Sequence, residues 1–407
     1  SRRLIQSLAD NDLLNMDQQR QYIEWLTEDG DILRARQYYS GHMADQPIRT
    51  PRDQVATIHS LIALGYRQQG QHLLESLLVA RTPLPVIAGV LLRLEEKYGV
   101  SFDLGPTVPE LDVYDAQTLD DAFSTVGLLL KHGRLAEAEQ VLLVIAEYAP
   151  LDRRLTHSLA TLLLEKGELA AAEKHLDLLG EDNEQSRDLR VKWHSMRGEL
   201  ALAIATSRFD LMSGTGGDPV ILGSAYERLT ATDIAEKIYL QAAYGPNVNV
   251  AVSLALAEMY NGQKQFAAAI GICEDILKEH PTHFRALYLF TVAMSETHEG
   301  ALAAIEKIKE ASSAAEQLPI GPFLSDNYET LIGYAYWRVG MLEVAQSQFL
   351  IGKRERGNFD SWPAELLYAS YASATKMKGN GGVEDLIEYC VSRPKLGAEV
   401  IQSALSN

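Results

Sequence analysis

Cysteine is nearly absent: Cys273 and Cys390 are the only two in 407 residues. A disulfide framework is excluded, one incidental bridge is not, and Cys273, at an apolar register position, reads as a buried inert thiol. Basic residues are also scarce. Lys and Arg number 37 against 55 Asp and Glu, which gives a formal charge of -18 and a pI near 5.0. Such a chain repels phosphate backbones and anionic lipid, both of which attract proteins by releasing counterions to basic patches, so nucleic acid is not an expected partner. The run Lys353-Arg354-Glu355-Arg356 is short and broken by acid, and reads as a solvated helix end. Long apolar runs are missing as well. The longest, roughly Pro83 to Leu94, is too short to span a bilayer and leads straight into Glu95-Glu96-Lys97, so no direct membrane insertion is expected. The chain opens on Ser1-Arg2-Arg3 without an initiator Met or an apolar signal region, which reads as a mature form or an excised piece of something longer. The compartment is left open between the cytoplasm and a bacterial periplasm.

What the sequence does contain is a folded protein's composition, 46% hydrophobic and 23% charged, arranged in a repeat. The stretch from Gly216 to Pro281 sets the pattern. Leu222-Gly223-x-x-Tyr226, Ala235 and Tyr239 stand above Leu256-Ala257-x-x-Tyr260, Ala269 and Cys273, each 34 residues from its counterpart. Two helix-period apolar patterns separated by a polar break make each unit a helical hairpin. Gly223, Ala257, Ala235 and Ala269 sit where the two helices must approach closely, and the tyrosines fill the space between. A pair this short cannot bury its apolar face alone, so it stacks on its neighbours.

The period and the Leu-Gly/Ala-x-x-Tyr…Ala…Pro spacing resemble the tetratricopeptide repeat (TPR) family. The resemblance implies an all-α, right-handed α-solenoid that acts without catalysis, holding peptides or protein segments in its concave face. Divergent N-terminal hairpins are expected over residues 1–98. The second of them has Leu64-Gly65-Tyr66 in its first helix and Gly70 at its turn, and Glu75 stands where a small residue belongs, which argues against close helix approach there. An acidic, proline-bearing linker or long loop is expected over 99–118, around Pro106 and Pro109. The repeat array itself covers 119–358, with tiny residues Ala138, Ala172, Ala203, Ala303 and Ala345 and a break at Pro319 to Pro322. Residues 359–407 read as C-terminal capping helices, Val383 to Val391 and Leu396 to Leu405 closing the array with a polar outer face.

Fragments that suggest chemistry do not assemble into a site. Gly214-Thr215-Gly216-Gly217-Asp218 lacks the preceding strand and the lysine of a phosphate loop, and reads as an inter-repeat turn. Ser373-x-x-Lys376 lacks its companion motifs. Pro281 breaks the helix that would align His280 with His283, so these read as solvent-exposed turn histidines, and no metal or cofactor is expected. An enzyme with its site in an inter-repeat insertion, Ser213 to Asp218 or Pro319 to Asp326, is kept as an alternative.

Carried over from the TPR resemblance, the ligand-facing positions of the first helices are Lys192, Arg228, Glu258, Asn261, Arg285, Tyr288, Tyr334, Trp337 and Arg338. Phe123, Lys131, His157, Thr161 and Asp188 extend the line toward the N-terminus. The lysine and asparagine pair with which chaperone-binding members hold a terminal carboxylate does not recur. Tyr334, Trp337 and Arg338 share one helical face and suit an interface anchor. The partner expected is a protein or peptide, with a polysaccharide stacked on groove aromatics as the alternative and homo-oligomerisation through terminal apolar faces as a third mode. A bacterial secretion, envelope or polysaccharide-export assembly is the setting that analogy suggests.

Overall fold

The computed structural model describes residues 9, 14, 16–44, 48, 50–104, 113, 115–180, 184–207, 217–243, 249–324, 326–356 and 369–370. Among the described residues the fold is all-α, with nineteen α-helices and one 3-10 turn. The one strand-like feature there is a single antiparallel bridge between Phe102 and Leu324. The chain forms two compact units. One comprises Ser1–Lys97, Ser101–Leu128 and Ala314–Ser325, and the other Tyr98–Val100, Leu129–Ser313 and Asp326–Asn407.

The first unit pairs α1 (Met16–Glu28) with α2 (Ile32–His42) and α3 (Pro51–Ala63) with α4 (Arg67–Val79), followed by α5 (Leu84–Tyr98) and the greater part of α6 (Ala116–Lys131). Tyr22, Ile23, Leu26, Ala35, Met43 and Leu64 make its N-terminal core. The start of α3 is fixed by a capping box, in which Asp53 N–H donates to Thr50 Oγ1 at 3.1 Å and Thr50 N–H to Asp53 Oδ2 at 2.9 Å. Pro51 opens the helix where no amide donor is needed. Residues 99–104, directly after α5, are not helical. Phe102 N–H donates to the buried Glu95 carboxylate, and Asp103 N–H to the Phe323 carbonyl.

The second unit stacks hairpins: α7 (Leu135–Tyr148), then α8 (Arg153–Lys166) with α9 (Leu169–Leu179), α10 (Glu184–Met196) with α11 (Leu200–Ser207), and α12 (Pro219–Arg228) with α13 (Thr232–Ala243). They continue with α14 (Val250–Gly262) and α15 (Phe266–Glu279), α16 (Phe284–Met294) and α17 (His298–Glu316), and α18 (Tyr328–Arg338) and α19 (Leu342–Arg356). This is a TPR-like array, as the repeat spacing predicted.

One register rule runs through both units. The hairpin turn carries a left-handed residue, Gly30, Gly65, Gly133, Gly167, Gly198 or Gly340, with Thr230 and Lys264 taking the same role at φ 58 and 60. Five residues later stands a small buried one: Ala35, Gly70, Ala138, Ala172, Ala203, Ala345, Ala235 or Ala269. Every alanine in that set is fully buried, because the second helix crosses the first at the shortest distance there. From the first helix, a Cβ added to Gly223 would meet the Tyr239 ring at 2.2 Å, and one added to Gly333 would meet the Phe349 ring at 3.0 Å.

Four expectations change. In the second hairpin the turn glycine is Gly65, at φ 83, and Gly70 lies inside α4 against Ile62 and Leu61. Reading the turn one glycine late moved the register by five residues onto Glu75; close helix approach is present in this hairpin. In α17 the buried small residues are Ala301 and Ala304, while Ala303 faces solvent, because this helix starts directly after a short Ser295–Thr297 connection without a left-handed residue. Helix α6 begins at Ala116, where Asp115 accepts the Thr118 N–H, and so takes in the last three residues of the expected loop. His283 is buried, not exposed: it packs on Gly99, and its Nδ1 accepts the Ala286 N–H to cap α16. Cys273 is fully buried, and burial pushes its thiol up to about 12. The expected capping helices beyond residue 370, Ser373, Lys376, Cys390 and Gly214 to Gly216 lie outside the described residues.

Candidate functional site

In the second unit each first helix, from α8 through α10, α12, α14 and α16 to α18, packs on the next first helix. Residues on these helices therefore meet across successive hairpins. Lys192 Nζ on α10 lies 2.5 Å from Glu165 Oε1 on α8. Arg228 at the end of α12 donates to the Ser195 carbonyl of α10 at 3.1 Å. Arg285 on α16 reaches Glu258 on α14 at 2.8 Å, and its guanidinium lies 5.0 Å from the centre of the Tyr288 ring. Asn261 Nδ2 donates to the Leu289 carbonyl at 3.0 Å. Tyr288 packs on Tyr334 and Tyr334 on Trp337, each pair with ring centres 5.7 Å apart. Arg338 closes the line on Glu296.

All nine predicted positions thus fall on one line of helices, and the structure joins most of them to one another. Their exposures differ. Tyr288 and Tyr334 are 3% and 2% exposed and belong to the packed seam between hairpins. The ion pairs stay open to water, with Glu258 and Arg285 side chains 58% and 36% exposed and those of Glu296 and Arg338 40% and 21%. Trp337 is half-buried.

Carboxylates under the line are shifted by burial. Glu227 accepts the Tyr239 hydroxyl at 2.7 Å, and burial raises its pKa, as it raises that of the Tyr239 phenol. Asp188 on α10 accepts the Asp218 N–H at 3.0 Å and is likewise raised by burial, with Asp218 and Glu184 nearby. Asp218 in turn caps α12 by accepting from Val220 N–H and Ile221 N–H. The end of the expected Gly-rich insertion therefore works as a helix start. His157 is held neutral by burial. Among the described residues no group of three or more His, Cys, Asp or Glu side chains is placed to hold a metal ion, and no helix is long and apolar enough to cross a membrane.

The line has a counterpart in the first unit that sequence reasoning missed. Glu24, His59 and Arg93 each precede a left-handed glycine by six residues, namely Gly30, Gly65 and Gly99. The spacings of 35 and 34 residues between them carried the signal. It went unread because the sequence after Arg93 carries no second helix-period pattern before Pro106, so no hairpin marked Arg93 as part of the repeat. Arg93 Nη1 lies 2.6 Å from Glu24 Oε1, and Arg20 Nη1 lies 3.0 Å from the same oxygen.

No family model matches the sequence, and no curated protein matches it. Among solved structures, the chain is similar to the APC/C hetero-tetramer Cut9-Hcn1 at 12% identity, over 97% of this chain and 84% of that one, with a TM-score of 0.42. It is also similar to the human IFIT1 dimer with PPP-AAAA at 13% identity, over 98% and 91% of the two chains, with a TM-score of 0.42. A monomeric IFIT1 mutant with Gppp-AAAA is similar at 13% identity, over 94% and 89%, with a TM-score of 0.41. The likeness is one of fold alone. The class that the fold defines is an all-α array of repeated helical hairpins.

Proposed function

We propose that the first-helix face of the second unit binds an extended segment of a partner protein, without catalysis. The observation that supports this reading is the open state of its ion pairs. Glu258 with Arg285 and Glu296 with Arg338 place both signs of charge, still partly hydrated, beside a half-buried Trp337. A peptide presents both signs together with main-chain donors and acceptors, and one aromatic anchor flanked by polar groups is a common way to hold it.

A polysaccharide would need open aromatic faces for stacking. Tyr288 and Tyr334 do not offer them, since both are almost fully buried. Peptide recognition is therefore the reading that the exposures favour. Selection of peptides from a display library on the intact chain, followed by titration, tests it. Trp337→Ala and Arg338→Glu are expected to weaken the selected peptides at least tenfold. Unchanged affinity in both variants, or binding to a glycan array in place of peptides, would overturn it, and sedimentation at two concentrations separates either result from self-association.

A further inference from the structure

The first unit carries a cluster independent of that face. Helices α1, α3 and α5 bring Glu24, His59 and Arg93 into one register, and Arg93 reaches from α5 to α1 past the helix that holds His59. One carboxylate oxygen, Glu24 Oε1, accepts from both Arg93 and Arg20. His59 beside them is 9% exposed, and its Nδ1 has no hydrogen-bond partner among the described residues. Burial first, then the two guanidinium groups, hold its ring neutral. The cluster therefore holds two cations against one anion. The side chains of Arg93, Arg20 and Glu24 are 36%, 29% and 16% exposed, so the arginines are accessible from solvent.

An arginine fork is matched best by two oxygens accepting two parallel N–H groups. Here each fork gives a single nitrogen to a single shared oxygen, which leaves that match unmet. We propose that Arg20 and Arg93 form a carboxylate-recognition site for an acidic side chain of a partner polypeptide, with Glu24 as the internal group that this carboxylate displaces. A side-chain carboxylate suits the site better than a phosphate chain. It carries one charge, whereas a run of phosphates meets the repulsion of a chain at -18.

The test uses the full chain and a short labelled peptide of alternating Glu and Ser, with binding read by fluorescence anisotropy. Glu24→Gln is expected to bind about tenfold more tightly than the natural chain, a change of about 1.4 kcal/mol. Glu75→Gln makes the same charge change on α4, where the side chain is 41% exposed, and is expected to bind like the natural chain. Adding Arg93→Gln to Glu24→Gln removes the gain. The His59 ring resonances shift on titration, which surface accumulation elsewhere would not produce. Arg93→Lys keeps the charge but loses the fork; it is expected to weaken binding several-fold and serves where Glu24→Gln disturbs folding. The proposal is overturned by any of four results: Glu24→Gln binds no better than Glu75→Gln, the gain survives Arg93→Gln, Arg93→Lys is neutral, or an oligoribonucleotide of equal length binds more tightly than the peptide.

Discussion

Tyr239 lies directly on Gly223, its ring occupying the space that any side chain at that position would need. The phenol is fully buried, and its hydroxyl donates to Glu227 at 2.7 Å, so the ring is held at both ends. Gly223→Ala gains about 1 kcal/mol of helix propensity but forces a methyl to within 2.2 Å of that ring. Overpacking of this kind costs roughly 1–3 kcal/mol, so a net loss of up to about 2 kcal/mol is expected in denaturant unfolding. Gly333→Ala meets Phe349 at 3.0 Å and is expected to lose less. Equal stability of Gly223→Ala and the natural chain would show that the close approach is not selected by packing.

The turn register makes a second prediction. Thr230 and Lys264 hold left-handed backbone at φ 58 and 60, where six other hairpins place glycine. A residue with a Cβ pays roughly 1–2 kcal/mol in that region, and glycine returns part of this as unfolded-state entropy. Thr230→Gly and Lys264→Gly are each expected to raise the unfolding midpoint by an amount worth about 0.5–1 kcal/mol. Gly340→Ala, at φ 79, is expected to lower it by a similar amount.

The same register explains what could be read in advance. Small residues five positions after each turn, some spaced at 34, are visible because close approach admits only Gly or Ala, and that demand leaves a mark on sequence at Ala138, Ala172, Ala235, Ala269 and Ala345. Gly70 was misplaced because two glycines five residues apart, Gly65 and Gly70, satisfy both the turn and the tiny position, and the pattern alone does not order them. His283 was read as exposed because a turn after a proline usually faces water. Its burial depends on Gly99, a residue nearly two hundred positions away, and spacing carries no record of that. Tyr288 and Tyr334 lay on the expected helix face, but helical periodicity does not distinguish a residue in the seam between hairpins from one in the open groove.

Acid is expected to weaken the second unit through His283. Burial, with His280 adding, lowers its pKa from 6.5 to about 4, so the folded state favours the neutral ring that accepts the Ala286 N–H. The sign follows from that direction. The contribution is complete above pH 6.5, where folded and unfolded rings are both neutral, and is lost progressively as pH falls from there through about 4. Its full size is on the order of 3 kcal/mol. Asp188 and Glu227, raised by burial, oppose it, whereas His59, also lowered, weakens the first unit in the same sense. His283→Asn keeps an N-cap side chain and is expected to flatten the fall in denaturant stability between pH 7 and pH 4.5 relative to the natural chain. An unchanged slope would assign the acid sensitivity elsewhere.

Glu258 and Arg285 allow the stability role of the first-helix line to be separated from the binding role proposed for it. Their side chains are 58% and 36% exposed, and an ion pair so hydrated contributes about 0.2–1 kcal/mol to folding and is screened by salt. A double-mutant cycle with Glu258→Ala and Arg285→Ala, read by denaturant unfolding, is therefore expected to give a coupling in that range that shrinks in high salt. Peptide affinity should respond differently. When a ligand covers the pair, water leaves and the same charges interact in a lower dielectric, so losing one partner leaves the other buried and unsatisfied. Each single variant is then expected to cost more in binding than in folding, and the charge-swapped Glu258→Arg/Arg285→Glu chain should fold normally yet fail to recover the affinity, since the ligand reads the position of each sign. Recovery of full affinity by the swap would mean that the pair serves only to join α14 to α16.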